Sequence, residues 1–161
     1  MTMKPTVMAL FLAACAASIG ACNREPDKAS TKTVVEKDGA KAVVEIKTAW
    51  CRPSPNGAQA GACYLTIKSS VANRITGLAT PLATEAAIHD MTMANGMMTM
   101  TPMPDGLPLE AGKSIELAPG GKHLMLVGLT GPLVEGTSVP LTLTFSATPA
   151  MTVQAAVRQP E

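Results

Sequence analysis

Aromatic residues are scarce in this sequence. Its 161 residues hold one Trp, one Tyr and two Phe, and Phe11 lies in a stretch expected to be removed. Large rings therefore cannot build the core, which must rest on Val, Leu, Ile, Ala and Met. No segment shows a convincing amphipathic helical period, so a helical fold is not expected. After the first residues no apolar run is long enough to cross a bilayer. No basic patch points to nucleic acid. Neither a Ser/His/Asp order nor a paired-carboxylate constellation is present, so no enzymatic activity is expected. Histidine occurs only twice, at His89 and His123, and cysteine four times, at Cys15, Cys22, Cys51 and Cys63.

What the N-terminus does contain is an address. Lys4 gives a positive start, Val7 to Ile19 is apolar, and Ile19-Gly20-Ala21-Cys22 follows. The pattern is that of a secretory signal over residues 1–21. Its last four residues resemble a bacterial lipobox, which makes Cys22 the lipidated N-terminus. Leu12-Ala13-Ala14-Cys15 fits more loosely, because cleavage there leaves a short apolar region, and an ordinary secretory signal is the plain alternative. Removing residues 1–21 from 161 leaves 140, takes Lys4 from the 13 basic residues, and balances the remaining charge against 12 acidic ones. A chain of that length suits one domain. Residues 22–41 are polar and charged and read as a lipidated N-terminus and tether, with Thr33 to Val35 as a short edge strand. Residues 42–158 are the expected domain. The expected location is the bacterial periplasm, with the membrane touched only through the lipid.

The domain reads as strands. Ala42–Trp50, Ala62–Ser70, Arg74–Leu82, Lys113–Leu117, Lys122–Leu129, Thr137–Phe145 and Met151–Val157 carry strand patterns separated by Pro, Gly and Asn turns. Seven or eight short strands predict an antiparallel β-sandwich. Trp50 is expected in its core, with a place lining a metal site as the alternative. Cys51 ends one expected strand and Cys63 lies in the next. In an oxidising compartment a disulfide is the leading reading. A redox or metal-binding thiol pair is the other, although the spacing is not C-x-x-C.

The most unusual stretch runs from His89 to Met125. Six of the 11 methionines lie between Met91 and Met103, and both histidines bracket the stretch. Methionine runs are commonly core or docking surface. Here, however, Asn95-Gly96 predicts a two-residue type I′ hairpin. That turn makes Met93 face Met98, Met91 face Met100, and His89 face Pro102. His89, Met91, Met93, Met98 and Met100 then share one sheet face, while Ile88, Met97 and Met103 share the other. His123 and Met125 likewise point one way, and Leu124 and Leu126 the other. Thioethers with imidazole, and few carboxylates nearby, suit Cu(I) rather than Zn, Mg or Ca. A blue-copper electron carrier is excluded, because it needs a cysteine within the site and none follows Cys63. Asp90 points away from His89 and is a poor orienting partner for it.

These residues resemble the periplasmic copper chaperone family PCuAC. Its pattern is His or Met, ten residues, Met, about twenty-one residues, then His-x-Met. Here ten residues separate His89 from Met100, and 22 separate Met100 from His123-Leu124-Met125. The extra residue fits the Pro/Gly-rich loop from Pro102 to Gly112. The stretches around Ala94-Asn95-Gly96, Pro119–Leu126 and Trp50–Leu65 also resemble the family, and the likeness spans about residues 46–157. Cys51 and Cys63 look like an addition. A His/Met-rich C-terminal tail, found in some relatives as a Cu(II) site, is not seen. The resemblance implies a single-domain, cupredoxin-like, Greek-key β-sandwich that binds Cu(I) through His89, Met100, His123 and Met125. It implies a monomeric chaperone delivering copper to a respiratory assembly protein or oxidase subunit, toward the CuA centre of cytochrome c oxidase. Met91, Met93 and Met98 are then secondary ligands or an exposed docking patch. A copper-sequestering lipoprotein and a metal-free interaction module are the competing readings. The first would show as copper sensitivity alone on deletion, the second as activity that survives loss of both histidines.

Overall fold

A computed structural model describes residues 31–37 and 40–160. The signal, Cys22 and most of the tether lie outside the described residues. All regular structure among the described residues is strand. In chain order the strands are β1 (Thr31–Lys37), β2 (Ala40–Cys51), β3 (Ala60–Ser69), β4 (Asn73–Ala79), β5 (Ala83–Ala94), β6 (Met97–Pro102), β7 (Leu107–Leu109), β8 (Ser114–Leu117), β9 (His123–Leu129), β10 (Ser138–Phe145) and β11 (Met151–Val157). Eleven strands thus form where seven or eight were expected. One addition is β7, three residues inside the Pro/Gly-rich stretch that read as loop. Another is β1, longer than the Thr33–Val35 edge strand and covering part of the tether span.

The strands follow the order β6-β5-β9-β3-β2-β11-β10-β4-β7, with β1 added to β2 and β8 to β3. Every pairing between them is antiparallel except β11 with β2. Strands distant in sequence lie side by side, as in β5 with β9 and β10 with β4, which is Greek-key wiring. The path also folds back on itself. Thr76, Gly77 and Leu78 of β4 meet Ala86, Ala87 and Ile88 of β5 around a cavity of about 170 Å³. This is the all-β, cupredoxin-like single domain expected.

Period-two alternation fills the interior. Val139, Leu141 and Leu143 of β10 and Val153 and Ala155 of β11 are buried, with their intervening neighbours turned outward. They join Ile46, Leu65, Ile67, Leu124 and Leu126 in one cluster of aliphatic side chains, with Phe145 as its one aromatic ring. Trp50 is not in that cluster, contrary to expectation. The alternation Ala42, Val44, Ile46 points Trp50 inward, but the register shifts by one between Lys47 and Trp50. Thr48 takes up the extra residue with φ of 50°, a β-bulge. From there on odd-numbered residues face inward. Cys51 enters the core opposite Cys63, and Trp50 turns outward opposite Tyr64.

Candidate metal centre

The hairpin of β5 and β6 forms in the expected register. Asn95 and Gly96 both have positive φ, 52° and 74°, the pair of left-handed residues that a type I′ turn demands. His89 faces Pro102, Met91 faces Met100, and Met93 faces Met98. On its other edge β5 pairs with β9, so that His89 faces His123 and Ala87 faces Met125. One face of β6-β5-β9 therefore carries His89, Met91, Met93, Met98, Met100, His123 and Met125. The opposite face sends Ile88, Leu124 and Leu126 into the core. Met97 shares that opposite parity yet is 69% exposed, because the hairpin runs beyond the edge of the core.

The two histidines stand together. Their ring centroids are 5.9 Å apart in an edge-to-face arrangement. His123 is buried, and its Nδ1 lies 3.0 Å from the carbonyl oxygen of Gly121. A carbonyl only accepts, so Nδ1 carries the proton and donates, leaving the Nε2 lone pair free. Metal-binding histidines are commonly oriented in this way. The Nδ1 of His89 is buried and has no hydrogen-bond partner among the described residues. Buried polar atoms are seldom left so, and an electrophile placed there would satisfy it. Met125 and Met100 lie diagonally from His89, two register pairs away toward opposite ends of β5. Diagonal neighbours are within reach of long side chains. Ala87, small and directly opposite Met125, leaves room above the strand. Met100 is 47% exposed, and Met125 is half-buried and lines a cleft of about 330 Å³ walled by Arg52, Pro53, Pro55 and Ala62.

The carboxylate adjoining His89 lies on the other face. Asp90 turns the other way and pairs with Lys122, Oδ2 to Nζ 2.9 Å. Among the described residues no three His, Cys, Asp or Glu side chains cluster, and the long side chains that share this face with the two imidazoles include thioethers. Cys51 and Cys63 are register partners joined in a disulfide, fully buried on the core side. They are not the free thiol pair that was the other reading. One aromatic residue borders the centre, and a second packs behind it. Tyr64 lies 6.5 Å from the His123 ring, centroid to centroid, and Trp50 lies 4.6 Å from Tyr64. The guanidinium carbon of Arg158 sits 4.9 Å over Trp50. Trp50 is thus packed on Tyr64, with β3 between it and His123.

A family model described as "Putative lipoprotein LpqE-like" matches residues 44–157, which includes every donor named above. The chain belongs to this LpqE-like family. A relative named "Putative lipoprotein Lxx21020", from Leifsonia xyli subsp. xyli (strain CTCB07), is 31% identical over 137 residues, covering 85% of this chain and 76% of its own length. Solved structures share the fold. The copper-bound PCuAC domain from PmoF2 matches with a TM-score of 0.61 and 21% identity, over 81% of this chain and 99% of that one. Cu(I)-DR1885 from Deinococcus radiodurans matches with a TM-score of 0.53 and 28% identity, over 89% of this chain and 85% of its own. The PCuAC resemblance drawn from the His/Met spacing is thereby supported. In this LpqE-like chain the candidate donors are soft: two imidazoles and several thioethers. Such a set fits a monovalent copper ion and discriminates against hard divalent ions.

Proposed function

We propose that this protein is a periplasmic copper chaperone that holds Cu(I) between His89, Met100, His123 and Met125 and passes it to a respiratory acceptor. The observation that carries the reading is the pair of facing histidines. One ring is held with its Nε2 free, and the other has a buried, unpartnered nitrogen. The copper-bound states of the PmoF2 domain and of DR1885 support copper as the ion. The oxidation state rests on donor softness, since thioethers prefer the monovalent ion. The donors suit storage and hand-over rather than catalysis, because none is a general base or nucleophile free of the ligand role. The family description and the Leifsonia relative's name support a lipid-anchored protein, consistent with Cys22 as the anchor. Partly exposed ligands suit release, since an acceptor can displace Met100 before the buried His123.

The testing experiment is anaerobic Cu(I) competition against a colorimetric chelator. Wild type is compared with His89→Ala/His123→Ala and with Met100→Leu/Met125→Leu. Tight binding in wild type that weakens strongly in both variants is the expected result. Equally weak binding in all three would end the copper reading and leave a metal-free docking surface. Delivery is tested separately: deletion is expected to lower the copper content of cytochrome c oxidase. Copper sensitivity with intact oxidase would point to sequestration instead.

A further inference from the structure

Beyond His89 the β5–β6 hairpin leaves the rest of the sheet. The last pair joining β5 to β9 is His89 with His123, and from Asp90 to Thr101 the two strands pair only with each other. One face of this free segment carries Met91 opposite Met100 and Met93 opposite Met98. The other carries Asp90, Thr92, Ala94, Met97, Thr99 and Thr101. In a two-residue hairpin the Ala94–Met97 pair closes the turn with hydrogen bonds. The Met93–Met98 and Met91–Met100 pairs then fall at non-hydrogen-bonded positions, where facing Cα atoms are only about 4.5 Å apart. Methionine has three rotatable bonds, so neighbouring sulfurs can turn toward one point.

The composition of this face is selective. Met93 is 70% exposed and Met98 50%. A docking surface needs apolar area, which Leu or Ile supplies with better-defined rotamers. Every long side chain on the free segment's donor face is instead a thioether. Sulfur at each of these positions gains nothing by burial alone and does gain an affinity for soft ions.

We propose that Met91, Met93 and Met98 form a second, all-thioether Cu(I) site at the hairpin tip, with Met100 shared between it and the inner centre. This inference rests on the copper reading of the His/Met centre. Copper captured at the tip moves inward while Met100 stays bound, as His89, His123 and Met125 replace Met91, Met93 and Met98. The ion stays monovalent throughout, no electron is transferred, and each neutral thioether is replaced by another neutral donor. The outer site serves as the port for ion arriving from, or leaving to, another soft-ligand protein.

The test is an anaerobic Cu(I) titration of the full-length chain in mild detergent, read by chelator competition and by X-ray absorption. Wild type is expected to bind two equivalents. Met91→Leu/Met93→Leu/Met98→Leu is expected to keep one, with imidazole scattering, which also shows that its hairpin remains folded. His89→Ala/His123→Ala is expected to keep one with sulfur scattering alone. One equivalent in wild type, unchanged by the triple substitution, overturns the outer site and leaves the inner centre standing. No copper bound by wild type overturns both. Should the triple variant lose both equivalents, a silver(I) titration of wild type labelled at its methionine methyls decides. Shifts of Met91, Met93 and Met98 with the second equivalent support the site, and their absence overturns it.

Discussion

The two histidines are chemically unequal, and the difference makes a stability prediction. His123 has its Nδ1 satisfied by Gly121, whereas His89 buries an unpaired Nδ1. An unsatisfied buried polar group costs about 1–3 kcal/mol. Removing it offsets the packing lost with the ring, so His89→Ala is expected to change copper-free stability by no more than about 1 kcal/mol. Copper should stabilise wild type by about 4 kcal/mol at a thousandfold excess over Kd, and the variant far less. Thermal unfolding with and without Cu(I) checks both halves. A copper-free loss of several kcal/mol would mean that the ring is there for packing. Gly106 offers a contrasting prediction. Its φ is 75°, and a Cβ there would collide with the carbonyl oxygen of Ile75. Gly106→Ala is expected to cost about 1–3 kcal/mol, seen as a lower midpoint in urea, although Gly106 touches no proposed ligand. At this scale the donor face was legible, because Asn95-Gly96 sets the register and parity does the rest. The orphaned Nδ1 was not, because burial depends on what packs above His89. The outward turn of Trp50 was equally hidden, since one bulged residue at Thr48 reverses parity without a mark in the sequence.

At the scale of elements, β2 and β3 are tied by a covalent link that the metal centre does not use. Cys51 and Cys63 are 12 residues apart and face the core, opposite the His/Met side of the sheet. Closing a loop of this length contributes about 3 kcal/mol in the chain-entropy model. Cys51→Ala/Cys63→Ala should therefore lower stability by about that amount, while Cu(I) affinity at low temperature stays within a few-fold. A large drop in affinity of the folded variant would show that the link positions β9 through β3. The hairpin turn should behave in the reverse way. Replacing Asn95-Gly96 by Ala-Ala places two ordinary residues in left-handed conformation, about 1–2 kcal/mol each. Since the tip pairs only with itself, global unfolding should barely change, and amide exchange should rise from Met91 to Met100. A strongly lowered global midpoint would mean that the tip packs on the core. The strands with clean alternation, β10 and β11, were readable from their patterns. The three-residue β7 was not, because Pro104 and Gly106 precede it, Pro108 lies within it, and its pairing with β4 is supplied by a strand over thirty residues away.

For the whole molecule, the sequence names strands but not their order. The parallel pairing of β11 with β2 and the meeting of β4 with β5 arise from non-local packing of aliphatic faces that resemble one another locally. The proposed anchor, by contrast, is read from the sequence, outside the described residues, and would constrain how the whole molecule works. If Cys22 carries the lipid, eight residues separate it from Thr31 at the start of β1. A fully extended chain of that length spans about 30 Å. The domain is then held within roughly its own diameter of the bilayer, which would suit the membrane-bound acceptor proposed above. Cys22→Ala should release the protein into the soluble periplasmic fraction with unchanged Cu(I) affinity, and should lower the copper content of the oxidase. Fractionation and metal analysis of the same cells read both effects. Continued membrane association of the variant, or an anchor mass found on Cys15, would sink the tether reading. Release with full oxidase loading would instead show that delivery proceeds by free diffusion and that the anchor serves only retention.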